Sequence, residues 1–133
     1  MDSEEIHVRT GDRLVTDLTS EMERFCSQRG DGLVHLFVPH ATAGLALMEL
    51  GSGSEHDLGQ VLAQLLPRDD RWRHRHGSAG HGGDHVLPAF VSPSLSVPVF
   101  GGRPTLGTWQ SVALIDPNTD NPDRRVRLSF LGG

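Results

Sequence analysis

An α+β fold is predicted, a mostly antiparallel sheet system or sandwich with two main helices, and three observations predict it. Apolar residues alternate along Leu33–Pro39, Leu95–Val99 and Val126–Phe130, the period of half-buried strands. Leu58, Val61, Leu62, Leu65 and Leu66 fall at i, i+3, i+4, i+7 and i+8, one face of a helix. Both helical signals lie in the first half of the chain and strand signals fill the rest, so helices cover an antiparallel sheet instead of alternating with parallel strands. A length of 133 residues fits one domain, 1–133, around one core.

Taken in order, Ile6–Arg9 begins a strand and Gly11-Asp12 ends it. Leu14, Leu18, Met22 and Phe25 then share a helical face, with Asp12 as the expected N-cap and Gly30 beyond the end. Cys26, beside Phe25, reads as a small buried thiol. Leu33–Pro39 is a buried strand ending at His40, the small residues Ala41–Gly44 turn the chain, and Leu45–Met48 starts a second strand, expected to pair with the first. Glu49 falls in phase with Leu45 and Leu47, so it must end the element or be paired. Ser54 and Asp57 form a weak capping box before the second helix, which Pro67 ends.

Arg68–His85 holds four Arg, four His and four Gly, with Trp72 almost its only large apolar side chain. A polar loop of that length in a compact domain is functional or disordered. Pro93 and Pro98 suggest an edge position for the strand around Leu95–Val99. Leu106–Ile115 reads as a further strand, in which Thr108 and Gln110 share one side and Trp109 takes the other. Pro117–Asp123 is a turn rich in Asn, Asp and Pro.

Composition removes whole classes of chemistry. The twelve basic residues are all Arg, so Schiff-base catalysis and a Walker-type phosphate loop are excluded within this chain. One Cys excludes an internal disulfide and a multi-Cys zinc site. Eight His leave imidazole and carboxylate as the ligand set for any metal, and imidazole suits zinc. A net charge of −5 gives no reason to expect nucleic acid as a partner. No apolar run approaches a membrane span, and the acidic start Met1–Glu5 is unlike a signal peptide, so no membrane partner and a cytoplasmic location are expected.

The His residues divide. His7 and His35 lie within strand patterns. His40 ends a buried strand next to small residues, and His74, His76, His81 and His85 crowd one loop that reads either as a metal site or as a solvated polar tract. Glu49 and Asp57 are carboxylates placed near this set along the chain, available as a general base or as a partner to a His, although Asp57 also suits a helix N-terminus.

His40-Ala41-Thr42-Ala43-Gly44-Leu45, then Glu49 and His56-Asp57, resembles the first half of the YjbQ-like family. Ser94-Leu95-Ser96-Val97-Pro98-Val99, Gly102-Arg103, Leu106-Gly107-Thr108-Trp109-Gln110 and Arg124-Arg125-Val126 resemble the rest. The resemblance implies an α+β fold, a homotrimer, and a weak secondary thiamine-phosphate synthase activity. It implies that His40, His74 and His85 converge on a pocket for a metal ion or anion, with Glu49 as the family carboxylate; His76 and His81 are not among its matching positions. The chain departs from the family pattern at Met48 and Leu50, where Asn is usual, at the shorter Gly51-Ser52-Gly53, and at Trp72 in place of Tyr.

Three readings stand at this point. In the first, the protein is an enzyme acting on a phosphorylated small molecule or anion. His40, His74 and His85 would hold zinc, or Mg²⁺ if the chemistry is that of a diphosphate; Glu49 and Asp57 would be catalytic; Arg103, Thr108, Gln110 and Arg125 would bind substrate. Mg²⁺ prefers oxygen ligands, so a three-His site favours a metal-assisted hydrolase as much as the synthase. The second reading is a trimeric metal- or anion-binding protein without turnover. The third is a structural trimer whose His residues form a buried polar network.

Overall fold

The computed structural model describes residues 1–133. Eight strands form two antiparallel sheets: β1 (Asp2–Arg9), β2 (Val15–Asp17), β3 (Gly32–Phe37), β4 (Gly44–Met48), β5 (Ser94–Phe100), β6 (Arg103–Pro104), β7 (Ser111–Ile115) and β8 (Asp123–Gly132). The larger sheet runs β1-β8-β3-β5-β6 and the smaller β2-β7-β4. Two α-helices, α1 (Thr19–Cys26) and α2 (Ser54–Leu65), complete the α+β architecture, with short 3₁₀ turns at His81–His85 and Leu87–Ala89.

The strand patterns decide the layers. In β3 and β8 buried and exposed residues alternate, so Val34, Leu36, Val126 and Leu128 enter the core while Leu33, Phe37 and Arg127 face outward. Strand β7 is buried on both faces. Its Val112 and Leu114 join the main core with Leu18, Met22 and Phe25 of the α1 region. Its Ala113 and Ile115 meet Leu62 of α2 and Leu87 on the other side. A continuous apolar run is what a strand covered on both faces requires.

Several local expectations are corrected. The first helical face begins too early: Val15–Asp17 is strand β2, paired with Ala113–Ile115, and the helix starts at Thr19. Asp12 caps nothing; Asp17 Oδ1 accepts the Thr19 N–H at 2.9 Å instead. Leu14 and Leu18 keep their apolar roles but serve different clusters, which is why a strand–helix junction imitated one helix. Strands β3 and β4 do not pair with each other. Val38 N–H donates to Pro93 O and Leu45 N–H to Ser92 O, and between them the chain crosses from one sheet to the other. Gly44 allows this crossing, because a Cβ there would stand 2.0 Å from Val91 O.

Ser54 and Asp57 form no capping box; Gly53, with φ of 99°, occupies the cap position, and Glu55 Oε1 accepts the Gly51 N–H at 3.1 Å. Strand β5 is not an outer edge, since β6 lies beyond it, but β6 pairs only with Val99 and Phe100, so the proline-bearing stretch keeps a largely free side. Strand β7 begins at Ser111, so Gly107–Gln110 is a turn and the alternation assigned to Thr108, Trp109 and Gln110 does not exist. Gln110 Oε1 accepts the Gly107 N–H at 2.9 Å and Gln110 N–H donates to Gly107 O at 3.0 Å, closing that turn on itself.

Candidate metal centre

The long polar segment after α2 is folded, and Trp72 organises it. Trp72 Nε1–H donates to Pro67 O at 2.9 Å. The backbone of Gly82 and Gly83 lies against the indole; a Cβ on Gly82 would be 2.4 Å from Trp72 Cβ and 2.5 Å from His74 O. Only glycine permits that approach. Arg68 Nη2 bridges Asp84 Oδ2 at 2.8 Å and Pro117 O at 2.6 Å, tying the His81–His85 turn to the chain after β7.

These contacts gather four imidazoles. The ring centroids of His74 and His85 are 3.9 Å apart, those of His74 and His81 5.1 Å, and those of His81 and His85 4.9 Å. His76 lies with its ring centroid 4.0 Å from that of His74, tilted by 55°, but remains exposed. One ring nitrogen from each of His74, His81 and His85 lies within 4.8 Å of the others. His81 is 4% exposed. Its two nitrogens and His74 Nε2 are buried without a hydrogen-bond partner. Buried polar atoms are otherwise nearly always paired, so these orphaned nitrogens call for a ligand.

The electrostatics favour the neutral form of His74 and His85. Burial, then the proximity of His76 and His81, lowers the His74 pKa. Burial, then His74, His81 and His76, lowers that of His85. Neutral imidazole is the metal-binding form. Beside them, burial raises the Asp84 carboxyl despite Arg68, and the Ser78 N–H lowers Asp120.

The residues singled out in the sequence fall into separate places. Of His40, His74 and His85, the structure brings His74 and His85 together and supplies His81 as the third member. His40 lies elsewhere: its Nε2 accepts the backbone N–H of Arg125 at 2.9 Å, and burial, followed by Arg124 and Arg125, lowers its pKa. The motif residue Thr42 joins the adjacent buried ion pair, Arg124 Nε with Asp116 Oδ2, its hydroxyl donating to Asp116 Oδ1 at 3.4 Å. Glu49 is exposed past the end of β4, and Asp57 is exposed in the first turn of α2. Arg103, Thr108 and Gln110 line one side of a cleft of about 960 Å³, faced by Thr19, Ser20 and Arg24. Arg125 is exposed, 3.7 Å from Glu5. No local spacing marks His81: it opens the 3₁₀ turn that His85 ends, and in such a turn residues three apart, not four, share a face.

Comparison with known proteins defines the class. The UPF0047 protein YjbQ-like family matches residues 4–133. A UPF0047 protein of Mycobacterium tuberculosis is 59% identical over 133 residues, covering all of both chains. Among solved structures, a hypothetical protein from Aeropyrum pernix superposes with a TM-score of 0.88 at 29% identity, covering all of both chains. A conserved hypothetical protein from Thermus thermophilus gives 0.83 at 32% identity, over 96% of this chain and 99% of that one. The fold is therefore that of the YjbQ-like proteins. The chain belongs to the UPF0047 family, a conserved family of unknown function. No helix is long and apolar enough to cross a membrane.

Proposed function

We propose that this protein binds a divalent metal ion of the zinc class through His74, His81 and His85, and that it acts as a metal-dependent protein on a phosphorylated small molecule or anion. One observation carries the reading: three neighbouring imidazoles, two of them with buried nitrogens lacking any partner, offer a ligand atom each within 4.8 Å. Leaving such nitrogens desolvated and unpaired is unfavourable, and a metal ion removes that cost. An all-nitrogen donor set fits zinc or a similar borderline ion and fits Mg²⁺ poorly. Tetrahedral zinc with bonds of about 2.0–2.1 Å sets its ligand nitrogens roughly 3.4 Å apart, so the rings need only small shifts to close. Three protein ligands leave a position free, and a bound ion there supplies Lewis-acid chemistry.

The chain's own residues do the rest. Lowered pKa values keep His74 and His85 neutral and ready to bind near neutral pH. With Lys absent, an anionic group must be gripped by Arg: Arg68 and Arg75 line the pocket that holds His74 and His81, while Arg24 and Arg103 with Thr108 and Gln110 offer donors in a separate open cleft. The weak thiamine-phosphate synthase activity implied by the family resemblance joins a pyrimidine diphosphate to a thiazole phosphate and ordinarily uses Mg²⁺. The His₃ set favours metal-assisted hydrolysis over that transfer, or binding without turnover. Exposed Leu33, Phe37, Phe100, Trp109 and Leu131 support assembly as a homotrimer, in which a second chain covers part of this apolar surface.

The test is titration of chelator-stripped protein with zinc by calorimetry. Saturation near about one ion per chain supports the reading, and no heat of binding at micromolar protein contradicts it. Zinc-dependent turnover then separates enzyme from binder: zinc-loaded wild type hydrolyses a phosphate ester and His81→Ala does not, whereas a binder takes up zinc and releases no phosphate.

A further inference from the structure

We infer that Asp120 is a positioning residue for the histidine cluster, holding His81 with its proton on Nδ1 so that Nε2 is the ligand atom; this rests on the metal reading above.

Asp120 lies on the turn between β7 and β8, far from the cluster in sequence, and no sequence pattern pointed to it. Its Oδ2 stands 3.5 Å from His81 Nδ1. That is the outer limit of a hydrogen bond, about 0.5 Å beyond the usual length, and the pair is not yet aligned as one. The carboxylate is held in place from several sides. Its Oδ2 accepts the Ser78 N–H at 2.9 Å. Its own N–H donates to Asn118 Oδ1 at 2.8 Å, and Asn118 N–H donates to Asp116 Oδ1 at 3.0 Å. Asp116 is anchored by the buried Arg124. The chain of contacts therefore runs from the core ion pair, through two side-chain-to-backbone turns, to the imidazole.

The opposite wall is made for this approach. Gly77 has φ of 84°, and a Cβ there would stand 2.8 Å from Asp120 Oδ2 and 2.9 Å from His81 Nε2. Any larger residue would wedge the carboxylate and the ring apart. Ser78, the next residue, contributes both the N–H that holds Asp120 and the carbonyl that accepts the backbone N–H of His81 at 3.2 Å. One turn of chain thus fixes the carboxylate and the imidazole relative to each other.

The chemistry follows from the ring. A neutral imidazole carries one proton, and an ionised carboxylate beside Nδ1 favours the tautomer that donates to it. Nε2 is then the lone-pair nitrogen. A carboxylate on the far nitrogen also makes the imidazole a better donor to a metal, and loss of such a partner typically costs about 10–100-fold in affinity.

The experiment compares wild type, Asp120→Asn and Asp120→Ala. Zinc affinity is measured by competition with a chromophoric chelator, and the His81 ring nitrogens are assigned by ¹⁵N NMR in metal-free protein. Asp120→Asn retains an acceptor for Ser78 N–H and guards against simple loss of fold, which thermal unfolding checks. The expected result is an Nδ1–H His81 in wild type, loss of that preference in both variants, and about 10–100-fold weaker zinc binding. Wild-type zinc binding with both variants within about twofold of it, or a His81 tautomer that the variants leave unchanged, overturns the role of Asp120. Absence of zinc binding in wild type refutes the metal reading instead, and the tautomer measurement still decides whether Asp120 sets the ring.

Discussion

His40 Nε2 accepts a 2.9 Å hydrogen bond from the backbone N–H of Arg125, so this histidine ties the end of β3 to the start of β8. Its neighbour in the motif, Thr42, reaches the Asp116–Arg124 ion pair. The segment that resembles the family most clearly in the first half of the chain therefore has a structural task. His40→Ala is expected to lower stability by about 0.5–1.5 kcal/mol through loss of this exposed hydrogen bond. Urea unfolding with an unchanged m-value checks this, and an unaltered midpoint contradicts it.

Arg124 and Asp116 are 4% and 0% exposed in their side chains, the most deeply buried ion pair of the chain. Removing one partner strands the other in the core. Asp116→Ala is expected to cost about 3–5 kcal/mol, while replacing both partners with apolar residues of similar size should cost less. A double-mutant cycle by denaturant unfolding measures the difference. Equal losses in the single and double variants would contradict it.

Gly82 faces Trp72 and the His74 carbonyl so closely that a methyl group cannot enter without movement. Gly82→Ala is expected to lower stability by about 1–3 kcal/mol and to weaken zinc binding as His74 is displaced. Thermal unfolding and chelator competition read the two effects separately. A variant as stable as wild type would show that the loop relaxes freely.

The pH dependence follows from the lowered values of His40, His74 and His85 against the ordinary histidine value of 6.5. In that window the unfolded chain binds more protons than the folded one, so stability rises with pH. The contribution is fully present above 6.5 and is lost as pH falls from there through the lowered folded values. Asp84 acts in the opposite sense: its raised value favours the folded state as pH falls toward its ordinary 3.8. Metal-free protein is expected to lose stability as pH falls from neutral through 6.5 and below, with Asp84 opposing part of that loss and the lowered Asp120 adding to it in acid. Unfolding midpoints across that range test it, and a flat profile contradicts it.

Much of this structure could be read from the chain. Period-two patterns located β3, β5 and β8, and a five-residue apolar face located α2, because burial on one side writes itself into local sequence. The junction at Leu14–Leu18 misled, since residues serving two different clusters happened to fall at helical spacing. Pairing of β3 with β4 was inferred from adjacency, whereas the partners of each lie far along the chain. At the site, the crowding of His residues in one loop is visible in the sequence, and the fold places His74 and His85 side by side with His81 while His40 lies apart. His81 matches no family position in the sequence, and its burial depends on Gly77, Trp72 and Arg68, contacts that no local pattern records. Asp120 was invisible for the same reason.

The proposed His74–His81–His85 metal site is tested most directly by zinc stoichiometry, measured by elemental analysis after chelation and reloading, in wild type, His81→Ala and His40→Ala. The structure predicts about one zinc per chain in wild type and in His40→Ala, and near-complete loss in His81→Ala. Retention of zinc by His81→Ala together with its loss from His40→Ala would contradict the His74–His81–His85 assignment.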